Sequence, residues 1–446
     1  MGRPSHSRSL GIWANGVRVG RWTLTGRGDA ELQYDPVWVN SDIGRPLSLS
    51  LPFTLENSPL KGPRVLHYFD NLLPDSEAIR RRVAERHRTG SIHAFDLLKA
   101  IGRDCVGAVQ LLDDDAPPPV VNRVEATPLS EAEIAQHLVD AVRTPAMLGL
   151  RPEDDFRISL AGAQEKTALL WWQGRWQRPH GSTPTTHILK LPMGLVGGRG
   201  ADFSTSVDNE WLCLQILQAY GLPVAQAEIA TFGAQRVLVV ERFDRRLAPT
   251  GDWLMRLPQE DFCQVMGLSP WQKYESDGGP GLSHLCTTLR QSVNAEADVR
   301  TVLMAQLLFW LLRAPDGHAK NFSIQLLPRG RFQLTRLYDV MSAYPVMGAG
   351  AGQWSVHDIR LAMAVMGRNR HYRMHEIQRR HFNHTARKLG LAEGAEPLIA
   401  YVLADTPRVI DAVQQRLPDG FHAEVAERIL GGLKQAVAAL ERMPAE

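Results

Sequence analysis

The hardest constraint on the fold of this chain lies in residues 301–340. TVLMAQLLFWLLRA is apolar nearly all round at helical spacing, and a helix with no polar side belongs in the middle of a packed unit. Pro315 ends that helix, Asp316 follows at once and Asn321 stands five residues later. FSIQLL and RFQLTRLY then read as two short strands joined by Pro328-Arg329-Gly330, with Asp339 at the end of the second. The back half of the chain must therefore wrap a buried helix that leads into a polar loop and a hairpin.

A length of 446 residues exceeds one ordinary core, so two or three packed units are expected. The formal charge of +2 gives no global basic field, and a nucleic-acid role would need a local patch. Cys105, Cys213, Cys263 and Cys286 form no C-x-x-C pair, which argues against zinc or thiol-redox chemistry and for reduced core cysteines of a cytoplasmic protein. MGRPSHSRSLGIW has no apolar core of a signal peptide, and no stretch approaches 18 uninterrupted apolar residues, so no membrane partner is expected.

Along the chain, LGIWANGVRVGRWTL, ELQYDPVWV and PLSLSLPF read as short strands, and a helix is expected over about 75–86. DDDAPPP breaks all periodicity, so a β-rich N-terminal subdomain is placed at 1–125. A second unit, 126–256, opens with SEAEIAQHLVDAVR, a helix with Ser130 and Glu133 at capping-box spacing. FRISLAGAQEKTALLWW, GRWQRP, THILKLP, AEIATF and QRVLVVERF read as its strands. DNEWLCLQILQAYGLP reads as its helix, capped by Asp208 and stopped at Gly221. Residues 257–446 are expected as an all-helical C-terminal lobe carrying the loop of Asp316.

Those parts match the needs of phosphoryl transfer. Protein kinases set a catalytic Asp five residues before a metal-holding Asn, after a buried helix, and deliver a second metal-binding Asp on the next hairpin. Asp316, Asn321 and Asp339 fill the three places, and their oxygens suit Mg²⁺. Upstream, the strand THILKLP carries Lys190, suited to ATP phosphates, and Glu210 stands early on the next helix to pair with it. Each reads alone as a turn, a solvated lysine or a glutamate favoured by a helix start; their order favours the kinase reading. SLAGAQEKT (159–167) has small residues that let backbone N–H groups near phosphates, although it is no Walker loop. VLVVERF lies where a kinase chain passes the adenine, and reads equally as a buried strand.

A basic run, Arg368, Arg370, His371, Arg373, His375, Arg379, Arg380 and His381, suits phosphate backbones or a solvated helix face. His371 and His375 stand four apart, but the flanking arginines would repel a metal cation. G-x-S-x-G and H-E-x-x-H are absent.

Taken together, RPLSLSLP, FDNLLPDS, FDLLKAIGRDCVGAV, DFRISLAGAQEKTALL, PTTHILKLP, SVDNEW, VERFDRR, RLPQEDFCQ, KYESDGGPG, DGHAKNFS and YDV give a chain that resembles the HipA toxins, serine/threonine kinases of bacterial type II toxin–antitoxin modules. The resemblance implies an α+β, protein-kinase-like two-lobed fold with an extra N-terminal subdomain. It implies ATP and Mg²⁺ as cofactors, and an ATP site of Ala161, Gly162, Ala163, Gln164, Glu165, Lys166, Lys190, Glu241, Arg242, Phe243, His318, Ala319, Lys320, Asn321, Tyr338 and Asp339. Asp316 would be the catalytic base, Asn321 and Asp339 the metal ligands, and Ser159 the autophosphorylation site. A HipB-like dimeric helix-turn-helix antitoxin is the implied partner, with operator DNA reached through the complex, Arg379 and Arg380 contributing. The implied substrate is an aminoacyl-tRNA synthetase, glutamate–tRNA ligase first, with blocked translation and dormancy as the outcome. Pro315 departs from the polar residue common in the family and is expected to shift the loop. Two other readings remain open: a weakly active or inactive kinase fold acting as corepressor on operator DNA, and a small-molecule or lipid kinase.

Overall fold

The computed structural model describes residues 7–142, 159–162, 164–198 and 200–446. Apolar side chains collect in three clusters among them. The first, built from residues such as Leu10, Trp22, Phe69, Phe95 and Leu111, lies under an antiparallel sheet ordered 60–61, 30–34, 17–24, 8–14 and 109–113. Trp22 stacks on Phe69 with ring centroids 4.0 Å apart.

A second sheet is ordered Ala227–Phe232, Gln235–Glu241, His187–Lys190, Lys166–Trp172, Arg175–Pro179 and Ala126–Pro128, every neighbour antiparallel. The turn at Gln173-Gly174 carries both residues at positive φ (52° and 77°), the geometry that matches strand twist in a tight hairpin. Helix Glu131–Val142 covers one face, with Ile134 and Leu138 buried against Leu169, Leu189 and Val237. Ser130 and Glu133 exchange the expected capping bonds, Ser130 N to Glu133 Oε2 at 2.8 Å and Glu133 N to Ser130 Oγ at 3.3 Å. Helix Ser206–Ala219 covers the other face and joins the third and largest cluster, which continues through Ala295–Leu311, Glu396–Gln414 and Ala423–Arg442. Two lobes thus face each other across a cleft in a protein-kinase-like arrangement, with the N-terminal subdomain beside both.

Several local expectations are corrected. PLSLSLPF forms turns rather than a strand. Its serine hydroxyls take backbone partners, Ser48 Oγ and Ser50 Oγ both donating to Gln264 O, and Leu49 N donates to Glu260 Oε1 at 2.9 Å. DPVWV is a helical turn, Pro36–Val39, because Asp35 caps it and Pro36 supplies a preset φ at its first position. Asp208 does not cap its helix. It sits one turn in, buried, where Arg236 binds it bidentately at 2.7 and 3.1 Å. The lobe expected as all-helical also holds a three-stranded sheet (259–261, 323–326, 332–334) and a hairpin (360–366, 370–373). Of the strand expected at 156–172, only Lys166–Trp172 is extended in a sheet, and 156–158 lie outside the described residues.

Candidate active site

The buried helix ends at Leu311, and Arg313 turns the chain at φ 52° before Pro315. Pro315 does not take Asp316 out of the cleft. Asn321 closes the loop by donating Nδ2 to Asp316 O at 2.7 Å, and His318 N returns to the same carbonyl at 2.8 Å. The strand after Phe332 stops at Leu334, short of the expected end at Asp339. Leu337 leaves that ladder for an isolated bridge with Val224, and Asp339 then takes φ 60°, a left-handed conformation that Asp tolerates better than most residues.

These turns gather one polar cluster. Lys190 Nζ donates to Glu210 Oε1 at 2.7 Å, to Glu210 Oε2 at 2.9 Å and to Asp339 Oδ1 at 2.7 Å. The lysine side chain is 8% exposed and Glu210 is 2% exposed, so this ion pair is buried and tightly specified. Burial opposes ionisation of Asp339, but Lys190 and Lys166 outweigh it and hold the carboxyl well below its usual range. Asn321 spends its amide nitrogen on Asp316 O and, at 3.4 Å, on Asp339 O, which leaves its amide oxygen as a ligand atom. Asp316 is the open member, 45% exposed, and Tyr274 donates its hydroxyl to Asp316 Oδ1 at 2.6 Å.

The cleft encloses about 170 Å³. Gly162 lies on its wall at φ 101°, a backbone conformation that favours glycine, and Lys166 Nζ would stand 2.5 Å from a Cβ there. Lys166 donates to Ala161 O at 2.7 Å, and burial with Lys190 nearby lowers its ammonium to about 8. Phe243 and Tyr338 form an aromatic corner with centroids 5.9 Å apart, and Tyr338 is fixed by donating to Lys320 O at 2.8 Å. Burial disfavours the charged form of His318, against the pull of Asp316.

Two buried polar atoms on this wall, Gln164 Oε1 and His318 Nδ1, have no hydrogen-bond partner among the described residues. Orphaned polar atoms around an aromatic-walled cleft with two lysines and an Asn–Asp pair fit a nucleotide and its magnesium. Among the described residues no group of three or more His, Cys, Asp or Glu is placed to hold a metal.

Not every expected residue faces this space. Ala163 lies outside the described residues. Glu165 binds Arg82 on the far side of the loop, and Ala319 is a buried member of the helical turn Ala319–Asn321. Arg242 sends its guanidinium away, to Asp244 at 2.9 Å and Asp104 at 3.3 Å, while its backbone N meets Thr186 O. Ser159 is fully buried and donates its hydroxyl to Leu72 O at 2.7 Å. The basic run splits between a hairpin strand, Arg370–Arg373, and the start of helix Arg379–Lys388, so His371 and His375 share no helix face. Arg379 forks onto Glu396, and Arg380 is exposed. Sequence reading missed Asn71, Asp75, Asp261, Lys273 and Tyr274, all bonded to catalytic-loop groups or to one another.

Comparison with known proteins follows the same lines. The family description "HipA-like C-terminal domain" matches residues 158–410, and "HipA N-terminal domain" matches 10–112. Y4mE of Sinorhizobium fredii, whose name marks it as a candidate kinase, is 35% identical over 345 residues, 76% of this chain and 78% of its own. The serine/threonine-protein kinase toxin HipA of Shewanella oneidensis is 28% identical over 326 residues, 70% of this chain and 69% of its own. A Shewanella oneidensis HipA structure, solved with HipB and operator DNA, superposes with a TM-score of 0.76 over 97% of each chain at 23% identity. Among the described residues no helix is long and apolar enough to cross a membrane.

Proposed function

The chain belongs to the HipA family, and from that premise we propose that it is a serine/threonine-protein kinase toxin. The observation that carries the reading is the Lys190–Glu210–Asp339 cluster on the same cleft as Asn321 and Asp316. Lys190 binds phosphate oxygens while Glu210 keeps its ammonium in place. Asn321 and Asp339 would hold magnesium, which would neutralise charge on the transferred phosphoryl group. The aromatic corner and the backbone of 241–243 receive the adenine. Asp316 accepts the proton of the incoming hydroxyl, and its exposure fits an acceptor that is part of another protein.

The finer reading rests on the family resemblance. The acceptor is a serine of an aminoacyl-tRNA synthetase, with glutamate–tRNA ligase the first to test. Self-phosphorylation at Ser159 belongs to it, and requires Ser159 to leave its bond to Leu72 O. The Shewanella oneidensis structure holds HipB and operator DNA, which supports a HipB-like antitoxin as partner here, with Arg380 free to meet DNA while Arg379 is committed to Glu396. The test is incubation of the purified chain with γ-labelled ATP, magnesium and cell lysate, followed by identification of labelled proteins. A labelled synthetase that disappears with Asp316→Asn supports the proposal, and no Asp316-dependent label on any protein refutes it.

A further inference from the structure

We propose that Asp75, a residue of the N-terminal subdomain, is a positioning residue for phosphoryl transfer that holds the catalytic base and the phosphate loop in register; the proposal rests on the kinase reading above. FDNLLPDS brings its subdomain to the cleft, where Asn71, Leu72 and Asp75 line the wall. The segment is braced from behind. Arg80, 6% exposed, donates Nε to Pro74 O at 2.6 Å and pairs with Asp70 at 2.6 Å, with its guanidinium over the Trp271 ring. Asn71 Nδ2 is tied to His67 O at 2.8 Å and to Leu268 O at 2.9 Å.

From this braced strip, contacts run to both working parts of the site. Pro74 bridges Gly162, and Asp75 N donates to Gly162 O at 3.1 Å, which fixes the phosphate loop. Asp75 Oδ2 pairs with Lys273 Nζ at 3.0 Å, and Lys273 O accepts Ala319 N of the catalytic turn at 3.2 Å. The next residue, Tyr274, donates to Asp316 at 2.6 Å. Lys320, one residue before Asn321, stands 3.8 Å from Asp75 Oδ1 and bonds Asn71 Oδ1 at 2.9 Å and Asp261 at 2.9 Å. Asp75, 5% exposed, faces two lysines that belong to the segments orienting Asp316 and Asn321. With Tyr274 on one oxygen of Asp316, the second oxygen is left for the acceptor hydroxyl and the carboxylate rotamer is set before substrate arrives.

Asp75→Asn keeps the size of the side chain and the backbone bond to Gly162, and removes the charge that both lysines share. In the full chain, turnover is read as magnesium-dependent ATP hydrolysis and as self-labelling from γ-labelled ATP, and nucleotide affinity with a fluorescent mant-ATP probe. We expect kcat to fall about tenfold or more while the mant-ATP Kd stays within about threefold, since a misplaced base costs rate rather than binding. Asp75→Glu recovers part of the rate. Asp75→Asn combined with Tyr274→Phe is no slower than the slower single variant, because both act through Asp316. Unchanged kcat in Asp75→Asn, multiplicative losses in the double variant, or parallel loss of rate, mant-ATP affinity and thermal stability would each overturn the proposal. A wild-type chain that neither binds mant-ATP nor turns over ATP refutes the kinase reading and this proposal with it; an active wild type with an equally active Asp75→Asn refutes this proposal alone.

Discussion

Replacing Asp104 by asparagine attacks the join between the N-terminal subdomain and the hinge of the kinase lobes. Its Oδ1 accepts from Arg245 at 2.8 Å and from Arg256 at 3.0 and 3.2 Å. Oδ2 accepts from Thr185 N at 3.0 Å, Thr185 Oγ1 at 2.7 Å and Arg242 at 3.3 Å. Asp104 and Asp244 together face the three guanidiniums of Arg242, Arg245 and Arg256, all buried. The asparagine leaves Arg242 and Arg245 to Asp244 alone, leaves Arg256 with no carboxylate partner, and turns an amide N–H₂ toward donors. Breaking a buried pair on one side costs about 3–5 kcal/mol. With a urea slope near the top of the usual range, about 3 kcal/mol/M, the unfolding midpoint should drop by roughly 1–2 M. Hydrogen exchange in strands 8–14 and 235–241, followed along the titration, reports whether the loss falls at this join. Burial opposes ionisation of Asp104, but Arg245, Arg242 and Arg256 hold its folded pKa below the unfolded value of about 3.9. Its contribution is therefore full above pH 4 or so and is lost as pH falls toward the folded value, and the gap between wild type and variant should narrow in acid. A midpoint within about 0.3 M of wild type at neutral pH would refute the reasoning.

Three further outcomes are expected. Burial raises Glu260 to about 8, so the folded chain holds a proton there that the unfolded chain releases above about 4.5; stability falls as pH rises through that window, and Glu260→Gln, which keeps an acceptor for Leu49 N, should flatten the fall in a pH series of thermal melts. Ser159→Ala should bind mant-ATP yet lose self-labelling, while Ser159→Asp, placing a charge in a fully buried slot against Leu72 O, should lose nucleotide binding; mass spectrometry that finds the phosphate on another residue sinks the assignment. Arg380→Ala should flatten the slope of log affinity against log salt by about one unit for operator DNA bound by the toxin–antitoxin complex, with kinase turnover unchanged, and an identical slope would assign the side chain to solvent.

The parts of the proposed site were legible because each lies in a local context with its own signature. The all-apolar helix before Asp316, the Asp–Asn spacing and the Lys-bearing strand followed by a Glu-bearing helix are read within a few dozen residues. The pairing of Lys190 with Glu210 follows from that order, and the structure sets them 2.7 Å apart. The contacts of Asn71 and Asp75 were not legible, because no pattern near Asp75 announces Lys273, which is 198 residues away, or links Asn71 to Lys320 across 249. Arg242 misled for a related reason. It is flanked by residues suited to the adenine edge, yet buried carboxylates on two sides outbid the cleft for its guanidinium. Asp208 sits where a cap is expected, but the helix begins two residues earlier at Ser206 and leaves it on the buried face.

The braced strip at 71–75 also bears on how such chains evolve. Family descriptions divide the sequence into a piece ending at 112 and another starting at 158, as if they were separable modules. The cleft draws Asn71, Leu72 and Asp75 from the first piece and Lys190, Asp316 and Asn321 from the second. Recombination between relatives at the proline-rich linker would therefore exchange part of the cleft wall, not an accessory. Chimaeras joined there should inherit activity only when the lysines at 273 and 320 meet an acid at 75, which makes these positions a heritable unit that crosses the module boundary.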